Sequence, residues 1–269
     1  MDTSPNSKLR GDVDALIREV STSTILPRFK SLADSDIKTK SGPNDLVTVA
    51  DEEAEEKLTA GLSALLTGSL VIGEEAAAAD ISVLDRLDKP GAVWIIDPID
   101  GTANFVAGND SFGVIVALVE NGATVMGWIH QPIIDKTIWA GRGQGTWVDG
   151  RKHTLQSDDD VALSTLSASI YHRAFKPALP EFKRTKGVGS AAIEYWSLAD
   201  GTSHLCTFSS LNPWDHAAGV LIHQEAGGYS AFLEGEVYEP AVRNKRGILS
   251  APSKKIWDRV RLLADETRI

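Results

Sequence analysis

Four apolar residues, Val93-Trp94-Ile95-Ile96, run straight into Asp97-Pro98-Ile99-Asp100-Gly101-Thr102, and this junction constrains the chain more than any other stretch. An unbroken apolar run rich in β-branched and aromatic residues predicts a strand buried on both faces. Such strands belong to α/β proteins, whose ligands sit beyond the carboxyl ends of the strands. Two acids three positions apart, Asp97 and Asp100, occupy that end here. Pro98 fixes one backbone torsion between them, and Gly101 frees the chain to turn directly afterwards. Thr102 is placed to cap a following helical turn, leaving backbone N–H groups for an anion. Two acids beside an anion nest make chemical sense when a divalent cation sits between them. Metal plus phosphate is the simplest resolution.

The 269 residues suit one large α/β domain or two closely packed halves. A formal charge of −10 argues against a general grip on nucleic acid, which needs basic stripes. It leaves an anionic substrate open, because bound cations invert the field locally. Cys206 is the only cysteine, so no intrachain disulfide and no thiolate metal site can form. Its apolar surroundings predict a buried strand thiol. No apolar run approaches membrane-spanning length and no signal core opens the chain, so the default location is cytoplasmic.

Three regions are expected. Residues 1–10 read as a polar tail, 11–154 as an α+β half and 155–269 as an α/β half. Leu9 to Phe29 carries Val13, Leu16, Ile17 and Val20 at helical spacing. Residues 40–44 form a loop, and Thr48 caps a second helix with a stripe of Ala54, Leu58, Leu62, Leu65 and Leu66. Leu70-Val71-Ile72 is a strand, and 80–90 a charged connector. Residues 112–118 and 124–129 are paired strands joined through Asn121-Gly122, a strong hairpin signal. Further short strands at 138–140 and 146–148 extend an antiparallel sheet. The second half alternates: strand 162–170, helix 190–199, strand 205–208, helix 215–225, strand 229–232, strand 247–250, and a helix from about Lys254. Gly141-Arg142-Gly143-Gln144-Gly145 looks like a phosphate loop, but with no helix after it a turn is the better account.

Four segments occur together: Asp45-Leu46-Val47-Thr48-Val49-Ala50-Asp51, Gly73-Glu74-Glu75, Asp97 to Thr102, and Trp214-Asp215-His216-Ala217-Ala218-Gly219. In order and approximate spacing they resemble the inositol monophosphatase superfamily of metal-dependent, lithium-sensitive phosphatases. The resemblance implies an α/β fold, α+β in its first half, built as a layered αβαβα sandwich with the site where the halves meet. It implies a homodimer, two to three Mg²⁺ ions and a small phosphorylated substrate. It places Glu74, Asp97, the Ile99 carbonyl, Asp100 and Asp215 on the metals. Asp51 and Thr102 orient the attacking water, with Glu74 assisting, and no phosphoenzyme forms. Lys40, Gly101, Thr102, Ser190, Ala191, Phe208 and Asp215 lie against phosphate or substrate.

Each residue also has a plainer role. Glu74-Glu75 alone would be a solvated strand edge, Asp51 a capping-box acid three residues after Thr48, and Lys40 a solvated loop lysine. Asp215 would be an acid decorating a helix start, and His216 a residue of the helix flank. The lack of bulk in Ala217-Ala218-Gly219 fits a helix packed tightly behind the site. Phe208 departs from the family: inositol-hydrolysing members carry an acid seven residues before the last metal aspartate. A polyol site loses discrimination when that partner is apolar. Trp128-Ile129-His130-Gln131-Pro132 is similar to the histidinol-phosphate phosphatase branch, whereas the segment around Asp215 leans to the inositol branch. The substrate expected is inositol-1-phosphate or a similar ester, with histidinol phosphate, a sugar bisphosphate or a 3′-phosphonucleotide as alternatives. A regulatory role on the transcription machinery is the alternative from another class.

Overall fold

The computed structural model describes residues 5–40, 46–184 and 186–264. Asp45 and the loop residues 41–44 lie outside the described residues. Helix α1 (Pro5–Val20) begins within the stretch read as a polar tail. It passes into a wider π turn (Ser21–Ile25) and a tight turn at Leu26–Arg28, so the expected single helix changes pitch before Pro27. Strands β1 (Ile37–Thr39) and β2 (Leu46–Thr48) form a small ladder, and α2 (Val49–Leu65) follows. Thr48 caps α2 within a complete capping box with Asp51. Then come β3 (Leu70–Gly73), the short α3 (Glu74–Ala79) and β4 (Ala92–Asp100). The connector between α3 and β4 is helical rather than loose: a 3₁₀ segment over Ile81–Asp88 buries Leu84 and Leu87.

Helix α4 (Thr102–Val106) leads to β5 (Gly113–Glu120), β6 (Ala123–Gln131), β7 (Lys136–Gly141), β8 (Gly145–Val148) and β9 (Arg151–His153). Strands β3 to β9 make one seven-stranded sheet in chain order. Only β3 and β4 run parallel, and Asn121 and Gly122, both at positive φ, close the hairpin between β5 and β6. The second sheet joins β11 (Lys183–Arg184), β10 (Ser167–Ile170), β12 (Leu205–Phe208), β14 (Ile248–Ala251) and β13 (Tyr229–Phe232) in that order. The strand expected over 162–170 is shorter, because Leu163–Thr165 forms a 3₁₀ turn. Helices α5 (Ala191–Asp200), α6 (Pro213–Glu225) and α7 (Lys254–Arg261) complete the chain.

Alternation along β4 shows how the layers stack. Trp94 and Ile96 join Val13, Ile17, Leu58 and Leu62 of α1 and α2 on one face of the large sheet. Val93 and Ile95 face Tyr195, Ala218, Leu221 and Ile222 of α5 and α6 on the other. That helical layer also covers Cys206 and Phe208 of the small sheet, whose opposite face buries Leu205 and Leu249 against Ile256, Trp257 and Val260 of α7. The order is helix, sheet, helix, sheet, helix, the αβαβα sandwich expected. Each fully buried Leu or Ile contributes about 1.5–3 kcal/mol of hydrophobic transfer. The small residues of α6 permit close approach. A Cβ on Gly219 would lie 2.1 Å from the Tyr195 ring, and one on Gly127 of β6 would lie 2.8 Å from Ala218 Cα.

Candidate active site

Strand β4 delivers the acids. Its register with β5 shifts between Asp97 and Asp100, so both carboxylates reach the sheet's carboxyl end while Ile99 stays buried in the outer core. Gly101 takes the capping position of α4 at φ 89°, a left-handed conformation suited to glycine. Thr102 is therefore the first helical residue rather than the cap. Its Oγ1 turns back, lying 3.0 Å from the Ile99 carbonyl and 3.2 Å from Asp51 Oδ1. It donates to one of them at a time.

Asp51 closes the capping box of α2 and also reaches Thr102. Its Oδ2 accepts from the Thr48 amide at 2.8 Å and from Thr48 Oγ1 at 2.6 Å, while Oδ1 faces Thr102. Burial is the main cause that lifts its pKa to about 6, against the pull of those hydrogen bonds.

Asp97, Asp100 and Asp215 bring ligand oxygens to within 4.8 Å of one another. Asp215 arrives on the first turn of α6, with Asn212 Nδ2 3.3 Å from its Oδ2. Asp100 is held by the start of α5: its carboxylate accepts from Ser190 Oγ, from the Ala191 amide at 3.1 Å and from the Ala192 amide at 2.7 Å. Ser190 and Ala191, expected at the substrate, thus touch Asp100 directly. Burial first, and then the neighbouring acids, push Asp97 and Asp215 well above the usual carboxylate range. Asp100 rises to about 6, with burial opposed by its hydrogen bonds.

Glu74 opens α3, and Lys40 Nζ bridges it to Glu75 at 2.8 Å and 2.7 Å. Lys40 is therefore no solvated lysine: against the opposing effect of burial, the two acids hold its pKa above the ordinary value. Glu75 is pushed to about 8, chiefly by burial. Glu55 escaped the sequence reasoning. The Glu55 carboxylate accepts from the Glu75 and Ala76 amides, each at 2.8 Å, and so anchors the turn that carries Glu74. Gly73 has to lack a side chain there, because a Cβ would lie 2.1 Å from that carboxylate. The signal was available: Glu55 lies one turn beyond Asp51 on the buried face of α2.

The donor set fits a hard divalent cation. Two buried carboxylates, Asp97 and Asp100, converge with the half-buried Asp215, and Asp97 Oδ1 is buried without a hydrogen-bond partner among the described residues. No such fit exists at the glycine loop after β7, where the Gly143 and Gly145 amides donate to the Glu225 carboxylate at 2.7 Å and 2.8 Å. His216 is fully engaged, with Nδ1 3.1 Å from Tyr195 Oη and Nε2 2.9 Å from the Ser210 carbonyl. A pocket of about 270 Å³ opens beside Asp100 and Asp215, walled by Tyr171, Glu194, Phe208 and His216. A roomier concavity of about 620 Å³ between α1 and strands β7 and β8 is lined by Arg10, Asp14, Arg18, Trp139 and Trp147, far in sequence from the acids.

A layered sandwich with an acid cluster at a strand end is an α/β architecture whose site suits a hard cation. The sequence profile of the inositol monophosphatase family matches residues 12–265. The chain belongs to the inositol monophosphatase family and is a phosphatase. An inositol-1-monophosphatase of Bacillus subtilis is 33% identical over 211 residues, covering 75% of this chain and 78% of its own. The Nus factor SuhB of Vibrio cholerae is 32% identical over 206 residues, covering 70% and 72%. A solved Thermotoga maritima IMPase superposes with a TM-score of 0.80 at 25% identity, covering 94% of this chain and 95% of its own.

Proposed function

We propose that the protein hydrolyses the monoester of a small phosphorylated alcohol, with inositol-1-phosphate the first ester to test, by direct attack of water. The convergence of Asp97, Asp100 and Asp215 with an unpartnered Asp97 oxygen carries this reading. Two to three Mg²⁺ ions would be held by Glu74, Asp97, the Ile99 carbonyl, Asp100 and Asp215. When bound, they neutralise phosphate charge and lower the pKa of a coordinated water. With the Ile99 carbonyl turned to a cation, Thr102 Oγ1 keeps Asp51 as its acceptor and can itself accept from water. Asp51, pinned by Thr48, takes up the proton. The amides of Gly101 and Thr102 orient phosphate, and Lys40 balances charge at Glu74. The leaving alcohol rests against Ser190, Ala191, Phe208 and Asp215.

Phosphate release in Mg²⁺ but not in EDTA, lost in Asp97→Asn and spared in an exposed variant such as Lys254→Ala, is the expected result. Full activity in EDTA would sink the proposal. The name of the Vibrio cholerae relative favours a second reading, a binding role in transcription. A protein that binds that machinery but releases phosphate from no ester would support it instead.

A further inference from the structure

The leaving-group pocket has an aromatic wall. Phe208 stacks on Tyr195 with centroids 5.0 Å apart and on Tyr171 at 6.2 Å, and the edge of His216 meets it at 4.8 Å. Nothing on that wall accepts the hydroxyls of a neutral polyol, and Ser209 and Ser210 stand exposed at its rim. Yet the same pocket contains a carboxylate that the sequence reasoning did not assign. Glu194, on the first turn of α5, is 3% exposed and lines the pocket together with Tyr171 and Phe208.

Its two oxygens are treated differently. Oε1 accepts from Tyr171 Oη at 2.7 Å and from the Val188 amide at 3.0 Å. Tyr171 Oη in turn accepts from the Gly189 amide at 3.1 Å, so the pair is locked to the segment preceding α5. Oε2 accepts from none of the described residues, and no Lys, Arg or His pairs with the carboxylate among them. His216, at the back of the pocket, has both ring nitrogens occupied. A carboxylate oriented through one oxygen, with no counter-charge among the described residues, is open to a cationic guest. Aromatic rings beside it favour the same guest, because a ring face attracts a cation.

We propose that Glu194 determines specificity in this pocket, selecting phosphate monoesters whose alcohol carries a protonated amine. The proposal rests on the phosphatase reading above and narrows its substrate class. Glu194 touches the alcohol, not the reacting atoms, and Tyr171 is the residue that positions it. The carboxylate missing at position 208 is thus supplied from a different element, with a different preference: charge rather than a ring of hydroxyls.

The test compares aminoalkyl, N-acetylaminoalkyl and hydroxyalkyl phosphates of two to four carbons at fixed Mg²⁺, with p-nitrophenyl phosphate as reference. Wild type is expected to favour the amine over the hydroxyl ester by about tenfold to a hundredfold in kcat/KM, the range of one charge-assisted hydrogen bond. The preference should lie in KM, and acetylation should abolish it. In Glu194→Gln, which keeps the shape, the ratio should collapse towards one, and in Tyr171→Phe it should fall partway. Equal specificity constants for amine and hydroxyl esters in wild type would overturn the proposal whether or not any variant folds. So would a Glu194→Gln enzyme that retains the full ratio. Failure to hydrolyse any of the esters, including p-nitrophenyl phosphate, would instead remove the phosphatase reading itself.

Discussion

Replacing Asp97 with asparagine should reverse the stability order of wild type and variant when Mg²⁺ is added. Asp97 is 2% exposed and shares a cluster with Asp100 and Asp215, their ligand oxygens lying within 4.8 Å. At an effective dielectric of about 20, two unit charges at 4.8 Å repel by about 3.5 kcal/mol. The cluster relieves part of that by holding protons, the pKa values of Asp97 and Asp215 being raised first by burial and then by the neighbouring acids. In EDTA, Asp97→Asn should therefore gain about 1–2 kcal/mol at neutral pH. At roughly 2–4 °C per kcal/mol for a chain of this size, its Tm should rise by about 2–8 °C. In Mg²⁺ at a hundred times its Kd, wild type gains about 2.7 kcal/mol by mass action, or roughly 5–10 °C. The variant, stripped of the proposed Asp97 ligand, should shift by far less. Differential scanning fluorimetry in EDTA and in Mg²⁺ reads both effects without a substrate. An equal Mg²⁺ shift in the two proteins would refute the metal assignment, and a lower Tm for the variant in EDTA would refute the argument from repulsion.

The Mg²⁺-induced rise in Tm should shrink as pH falls through about 6, where Asp51 and Asp100 take up protons. Raised carboxyl pKa values favour the metal-free fold below the unfolded value near 4 and lose that contribution as pH rises through 6, so the metal's share grows with pH; a shift unchanged between pH 5 and pH 8 would contradict this. Glu55→Gln should destabilise by about 1–3 kcal/mol by weakening two charge-assisted hydrogen bonds at α3, and should loosen Mg²⁺ binding by displacing Glu74, both readable by urea unfolding and calorimetry. Phe208→Glu should lower Tm and depress every ester alike, because the ring is packed among three others; a selective gain for inositol phosphate with an unchanged Tm would show that the position is free to face substrate. Gly219→Ala should unfold the protein at a lower temperature, since its Cβ would lie 2.1 Å from the Tyr195 ring, and an unchanged Tm would mean that α6 can shift.

The sequence by itself determined what depends on neighbours along the chain. The Thr48–Asp51 box, the Asn121-Gly122 hairpin and the apolar run before Asp97 each carry their own instructions, since caps, turns and buried strands are local chemistry. The family's acids were legible for the same reason, as each sits in a short motif beside a strand end or helix start. Tertiary structure decided what those motifs do together. Only the meeting of the start of α5 with the end of β4 hands Asp100 to the Ser190, Ala191 and Ala192 donors. Only the fold turns Lys40 inward to Glu74 and Glu75, and sets Glu55 beneath Glu74's turn. Phe208 shows the limit most plainly. Its position on β12 follows from an apolar pattern, but its place among Tyr171, Tyr195 and His216 joins residues from separate elements. Local propensity is encoded within a few residues, whereas a binding wall is a property of distant surfaces pressed together by the burial of the layers between them.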